Sequence, residues 1–258
     1  MVIKASNEAL IIKSMVAIES FWKTTKLHFE QNEQLVKNEQ IYFLAPNEEI
    51  SEKVDEYIIQ LTSLSNSKYV EYVRENVSKQ KQIYLYFREL LDLWLETQKE
   101  WFRLHPILMS ASSIKYHSGA YTQFASLDST MRKFNKQMND MINIKKVSED
   151  YMLQSFLNIV KACHLELEKL RKTLEEYMAQ KRNNYNRFYF LTDGELITLL
   201  QEIRDFQSME PYLKLCFDLD GFIVEKDIVV GVRSSHESFK VRSLFFKGEA
   251  DEWFKAVD

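Results

Sequence analysis

Asn186-Arg-Phe-Tyr-Phe-Leu-Thr-Asp-Gly-Glu-Leu196 is the stretch from which the fold of this chain is read. Arg187, Phe188, Tyr189, Phe190 and Leu191 run directly into Thr192-x-x-Glu195, a capping box. In such a box the Thr hydroxyl accepts from the free backbone N–H three residues on, and the Glu carboxylate accepts from the cap's own N–H. The pattern predicts an aromatic plug fixed against the start of a helix over 195–204. Upstream, 165–182 reads as a helix rich in charge. Rod, ring-filled corner and second rod follow one another, which sets the class as mainly α.

Working outward toward the N-terminus, helices are predicted over 148–180 and 122–143, with a break at Asn143-Ile-Lys-Lys and a less regular stretch over 107–121. Before them one long helix is predicted over 68–104. Its Tyr69, Val73, Val77, Ile83, Phe87, Leu90, Leu91, Trp94, Leu95, Gln98 and Trp101 follow one face with some drift. At 1.5 Å per residue this is a strut of about 55 Å. Trp94 and Trp101 share that face with Gln98 between them, and read as core rings clamped by partner helices rather than as a ligand cage. Pro106 is expected to end the strut, because its ring clashes with a continuing helix and disfavours the α region at His105.

At the start of the chain, Ala5-Ser6 can cap a helix to Trp22, with Ala9, Ile12, Val16, Ile18 and Phe21 near helical spacing. Residues 24–30 and 40–44 are β-prone and predict a small antiparallel hairpin. Pro46-Asn47 stops it, and Asn47 can cap a helix to Leu64 that carries Glu48 and Glu49 in its first turn. Ser65-Asn66-Ser67 marks a turn. Beyond the plug, Pro211 is placed in the first turn of a helix over 212–217. Residues 227–233, which include Gly231, and 238–243 read as a second hairpin, and a helix with Trp253 and Phe254 begins at Gly248. The predicted architecture is an elongated stack of helical bundles with long helices and two small β-hairpins, the second near the C-terminus. It divides into 1–104, with the first hairpin and the long helix, and 105–258, ending in a hairpin and a short helix.

Composition narrows the function. Hydrophobic residues at 45% and aromatics at 13% exclude general disorder. Only five Gly and three Pro in 258 residues favour long uninterrupted helices. A net charge of −4 from 34 basic and 38 acidic residues, without a basic stripe, argues against a nucleic-acid partner. No run approaches the roughly 20 apolar residues of a membrane span. The apolar patch 9–12 is broken by Lys13 and is no signal-peptide core. Cys163 and Cys216 lie far apart in helical patterns and read as buried thiols of a reducing compartment, which places the chain in the cytoplasm or cytoskeleton.

The chemical motifs fail one by one. No Gly-x-x-x-x-Gly-Lys-Ser/Thr loop is present, and Gly194 at a helix start is flanked by Asp193 and Glu195, which repel phosphate. The chain alone is not expected to hydrolyse nucleotide. His28, His105, His117, His164 and His236 show no metal spacing. Asp218-Leu-Asp-Gly221 starts like a calcium loop, but Val229 stands where the bidentate Glu belongs, so it reads as a helix-terminating turn. His164 and Glu168 are spaced i, i+4, the usual mark of a solvated helix face. No Gly-x-Ser-x-Gly elbow occurs. No catalytic, cofactor-binding or metal-binding residue emerges.

The plug after a charged helix resembles the linker of dynein heavy chains, the arm that precedes the first ATPase module. Further landmarks follow in order. Ala5-Ser6 with a helix ending at Trp22 resembles that family's entry helix. Leu90-x-x-x-Trp94-x-x-x-Gln98-x-x-Trp101, then Leu104-His-Pro106-Ile107, resembles its run of Trp, Gln and Trp closed by Leu-x-Pro-Ile. Leu174-x-x-Tyr177-x-x-x-Lys181-Arg182 leads into the plug, Glu210-Pro211-Tyr-Leu-x-x-Cys-Phe217 resembles a Pro-x-Leu-x-x-Cys-Phe motif, and Ile228-Val-Val-Gly231 with Ser234 and Trp253 resembles the strands that join linker to ring. Asn186 replaces the usual proline before Arg-Phe, 110–121 replaces an acidic Leu-Pro stretch, and Gly194 stands where Asn or Asp is commoner.

The resemblance implies a mechanical, non-catalytic role in microtubule-based movement. The motor's ATPase ring and other dynein subunits would be direct partners and microtubules indirect ones, without cofactor, and the ciliary axoneme would be one possible setting. Bending would fall at a break such as 110–119 or 65–67. Trp94, Gln98, Trp101, Pro106, Arg187, Phe188, Phe190, Leu191, Thr192, Glu195, Pro211 and Gly231 are its structural or docking candidates. The alternative is a free-standing helical scaffold of spectrin-like or coiled-coil type, which has no use for the hairpin over 227–243.

Overall fold

A computed structural model describes residues 2–32, 41–109, 118–141, 150–201, 206–217, 220–225, 228–233 and 238–245. The chain is mainly α. In order it runs α1 (Val2–Thr24), β1 (Phe29–Asn32), β2 (Ile41–Leu44), α2 (Glu48–Ser65), α3 (Arg74–Leu108), α4 (Ser118–Met141) and α5 (Asp150–Asn184). A 3₁₀ turn (Asn186–Phe190), α6 (Asp193–Gln201), α7 (Phe206–Phe217), β3 (Gly221–Glu225), β4 (Ile228–Arg233) and β5 (Ser238–Phe245) follow. By contacts the chain divides into two compact units, Met1–Pro106 with Thr122–Glu168, and Ile107–Tyr121 with Lys169–Asp258.

Helices of the first unit bury stripes at alternating spacings of three and four, the period that keeps one face inward. Trp94, Gln98, Trp101 and His105 are buried on α3, and Phe124, Met131, Phe134 and Met138 on α4. Rings lock these stripes together. Trp94 lies 5.7 Å from Phe29 and 5.0 Å from Phe134, and Phe134 lies 5.8 Å from Phe156 of α5. Trp22 of α1 packs at 4.1 Å from Tyr84 and 4.8 Å from Phe87 of α3.

That last cluster corrects the predicted face of α1. The helix buries Ile11, Met15, Ile18 and Trp22, while Ile12 and Val16 are exposed. Seating the indole between two rings removes more apolar surface than Ile12 and Val16 could, so Trp22 sets the rotation. The hairpin of β1 and β2 forms as expected in type, antiparallel with Phe29 opposite Leu44 and Asn32 opposite Ile41.

The long helix starts at Arg74 rather than Lys68. Residues before it form tight turns, in which the Val70 N–H bonds the Ser67 carbonyl at 3.3 Å and the Val73 N–H bonds the Val70 carbonyl at 2.9 Å. These turns bury Val70 and Val73 and leave Tyr69 only half-buried. Pro106 does not end α3, which continues to Leu108. Its missing N–H costs the Phe102 carbonyl its helical donor, a loss of one bond that a 35-residue helix can carry in its last turns. Pro211 likewise lies inside α7, which begins at Phe206, and not in a first turn.

In the second unit the predicted hairpin is two strands of a three-stranded antiparallel sheet in the order β3-β4-β5. Sequence reading missed β3, having taken its first residue, Gly221, as the end of a turn. Gly231 sits at irregularities on both sides of β4: Ile223 pairs with Gly231 and Val224 with Val229, so Val230 is the extra residue of a bulge. The predicted helix from Gly248 lies outside the described residues, as does all of the predicted hinge stretch 110–119 except Ser118 and Gly119, which open α4.

Candidate docking corner and its buried supports

Two constellations of polar side chains stand out, one in each unit. In the first, α3 and α4 grip the outer edge of β2. Ala45 N–H bonds the His28 carbonyl at 3.0 Å, so by the alternation of an antiparallel ladder the polar groups of Leu44 and Tyr42 face away from β1. Gln98 takes both groups of Leu44: Oε1 accepts its N–H at 2.9 Å and Nε2 donates to its carbonyl at 2.9 Å. Asn135 Nδ2 donates to the Tyr42 carbonyl at 2.9 Å, while its Oδ1 accepts the Trp94 indole N–H at 3.0 Å. Two side-chain amides thus replace a third strand, and Gln98 and Asn135 are both buried.

One helical layer further along, the Trp101 indole N–H donates to Asp128 Oδ1 at 3.0 Å, and Arg132 Nε donates to Asp128 Oδ2 at 2.7 Å. Arg132 Nη2 lies 3.3 Å from His105 Nε2. The Thr97 hydroxyl donates to the Leu93 carbonyl at 2.6 Å and accepts from His164 Nδ1 at 3.3 Å, tying α3 to α5. His164 is therefore a packing residue on a half-buried face, not part of a solvated His–Glu pair. Asp128, Asn135, Arg132 and Thr97 were not singled out from sequence. The signal was present: Asp128 and Asn135 fall in the same stripe as Met131 and Met138, and polar residues at core phase require internal partners.

In the second unit the capping box is formed as predicted. Thr192 N–H donates to Glu195 Oε2 at 2.8 Å, and Glu195 N–H donates to the Thr192 hydroxyl at 3.3 Å. The Thr192 N–H, and the Thr192 hydroxyl that donates to the same oxygen at 2.8 Å, hold the Glu195 carboxyl below its ordinary range. The helix begins at Asp193, two residues before the predicted start, with Thr192 as its cap. Of the three plug aromatics only Phe188 is inserted, at 0% exposure, with Leu191 beside it and the Tyr185 ring at 5.0 Å. Tyr189 and Phe190 are turned outward, 62% and 69% exposed. A 3₁₀ turn carries three residues per turn, so neighbouring side chains cannot share one inward face.

Arg182 ties the corner to the end of α5. Its Nη2 donates to the Leu191 carbonyl at 3.0 Å, its Nε to the Phe188 carbonyl at 3.4 Å, and its Nη1 pairs with Asp193 at 2.8 Å. Arg187 donates to the Cys216 carbonyl of α7 at 3.2 Å and lies over the Phe217 ring at 4.5 Å. Burial pushes the Cys163 and Cys216 thiols up to about 11, and both are free and buried. Among the described residues no group of three or more His, Cys, Asp or Glu is placed to hold a metal ion, and no helix is long and apolar enough to cross a membrane. The constellations fasten and cap backbone; the exposed product is an aromatic pair on a rigid corner.

Comparison with known proteins places these features in a family. The model of the family described as dynein heavy chain, N-terminal region 2, matches residues 1–258. The chain is 24% identical to mouse dynein axonemal heavy chain 1 over 258 residues, covering 98% of this chain and 6% of that protein. Human dynein axonemal heavy chain 6 is 27% identical over 217 residues, 83% of this chain and 5% of that protein. The Chlamydomonas reinhardtii dynein-1-beta heavy chain of the flagellar inner arm I1 complex is 24% identical over 268 residues, 99% of this chain and 6% of that protein. The chain thus spans a small fraction of its relatives' length. With a family model matched from end to end, the chain belongs to the dynein heavy chains and corresponds to their N-terminal region 2.

Proposed function

We propose that this chain is the mechanical linker of a dynein heavy chain, a non-catalytic arm that passes ATP-driven shape changes of the motor ring into microtubule-based movement. The observation that carries the reading is the buried polar clamp, in which Gln98 and Asn135 fasten a hairpin to two long helices. A segment that transmits load needs joints that resist sliding, and directional hydrogen bonds resist it better than apolar contact alone. ATP hydrolysis belongs to the complete heavy chain in this reading. The axonemal and flagellar relatives support a setting in the cytoskeleton of cilia or flagella.

The exposed Tyr189–Phe190 pair on its braced corner, with Pro211 and Gly231 in the same unit, is the docking surface for the ATPase ring. Other dynein subunits are further partners and microtubules are reached indirectly. The test is Phe190→Asp in a complete heavy chain that carries this region. ATP-driven microtubule gliding is expected to slow while the motor still binds and turns over ATP. Unchanged gliding speed would remove the proposed docking role.

A further inference from the structure

His105 is a buried titratable group that neither the clamp nor the docking corner uses. It is 4% exposed and meets the Trp101 ring at 6.2 Å and the Phe124 ring at 5.9 Å, both edge-on. Among the described residues two ionisable groups reach it, both from α4: Arg132, with Nη2 3.3 Å from Nε2, and Asp128, with Oδ1 3.6 Å from the same nitrogen. A guanidinium can only donate, so Nε2 is an acceptor and the neutral ring carries its proton on Nδ1. The carboxylate stands just beyond hydrogen-bond length, already engaged by Trp101 and Arg132.

We propose that the Trp101–Asp128–Arg132–His105 cluster is a proton-operated latch within the first unit. Uptake of one proton at His105 Nε2 turns that nitrogen from an acceptor of Arg132 into a donor to Asp128. The imidazolium then faces the guanidinium with like charge, and Arg132 is pushed off. Asp128 Oδ1, which holds the Trp101 indole, closes by about 0.7 Å to reach ordinary hydrogen-bond length and serves two donors. The ties between α3 and α4 at this layer are redistributed by a single proton. The latch does not depend on the linker reading, since it concerns the packing of the chain itself.

Burial holds the imidazole below its ordinary 6.5; Asp128 pulls the other way and Arg132 adds to the lowering. A base whose pKa is lowered by folding takes up its proton more readily in the unfolded chain. Stability is therefore full above 6.5 and falls as pH drops below it. The test uses the whole 258-residue chain. Histidine-labelled protein is titrated by NMR from pH 7.5 to 5 while the Trp101 indole proton is followed. In parallel, urea unfolding is compared between the natural chain and His105→Gln, which can accept from Arg132 but cannot take the proton.

The expected result is an Nδ1–H tautomer at neutral pH and a midpoint below 6.5, with the Trp101 indole signal moving at the same midpoint. The folding constant of the natural chain should also fall up to about tenfold further than that of H105Q between pH 7.5 and 5.5, the most that a group of unfolded pKa 6.5 can impose. An Nε2–H tautomer, a midpoint at or above 6.5, or an indole signal indifferent to the titration would overturn the latch. Should H105Q fail to fold, the titration of the natural chain decides alone.

Discussion

Replacing Gln98 by leucine removes both bonds to Leu44 while keeping most of the side-chain volume. Gln98 is 6% exposed and Leu44 1%, so water cannot take over the freed N–H and carbonyl without opening the core. Each buried group left unmade costs about 1–3 kcal/mol, or about 2–6 kcal/mol for the pair. The apolar leucine returns about 1–2 kcal/mol by burial. At the centre of both ranges the unmade bonds win, and a net loss of about 2–3 kcal/mol is expected from a total that is about 5–15 kcal/mol for an ordinary domain. Urea unfolding of the whole chain measures the loss, and hydrogen exchange at the Leu44 amide locates it. Retained protection of that amide, with stability within about 0.5 kcal/mol of the natural chain, would refute the reasoning, since that is the range of a neutral surface change. Asn135→Leu should add less than its own effect on this background, because both amides hold one strand.

Arg182→Ala should speed limited proteolysis over 185–193, since the Phe188 and Leu191 carbonyls and Asp193 lose their shared partner. Thr192→Ala should cost about 1 kcal/mol by urea unfolding, the usual value of a lost helix cap. Because the Glu195 carboxyl is held below its ordinary 4.5, the support it gives the capping box is full above that value. It fades as pH falls below, which circular dichroism of natural and Glu195→Gln chains can follow. Cys163 and Cys216, raised to about 11 by burial, should resist thiol reagents at pH 8 in the folded chain and react promptly in denaturant.

Local rules carried the reading wherever neighbours in sequence decide the outcome. Thr192 and Glu195 are three apart, and the box they form needs nothing from elsewhere. Trp94, Gln98 and Trp101 repeat at four and three, so their common buried face follows from helix period alone. Local rules failed where a distant ring or backbone group cast the deciding vote. Trp22 rotates α1 because Tyr84 and Phe87, some sixty residues away, offer it a slot. Pro106 and Pro211 were overruled because a missing helical donor is tolerable when packing holds the remaining turns. Asn135 and Asp128 carried a readable signal, polar side chains at core phase, but their partners Tyr42, Trp94, Trp101 and Arg132 emerge only in three dimensions.

The edge of β2 shows what such residues would contribute to the proposed arm. A third strand there would hold Tyr42 and Leu44 through a separate piece of backbone, itself free to shift with its own loop. Gln98 and Asn135 instead project from helices whose registers are fixed by Trp94, Trp101 and the rings around them. Sliding α3 along its axis by one residue, about 1.5 Å, would break both Gln98 bonds at once and draw Trp94 away from Asn135. The hairpin therefore registers the relative position of two helices with a tolerance smaller than a single residue rise. An apolar contact in the same place would slip from one groove to the next at far smaller cost, since dispersion has little direction. In the proposed arm, this directional fastening lets a displacement of one rod be delivered to another instead of being absorbed between them.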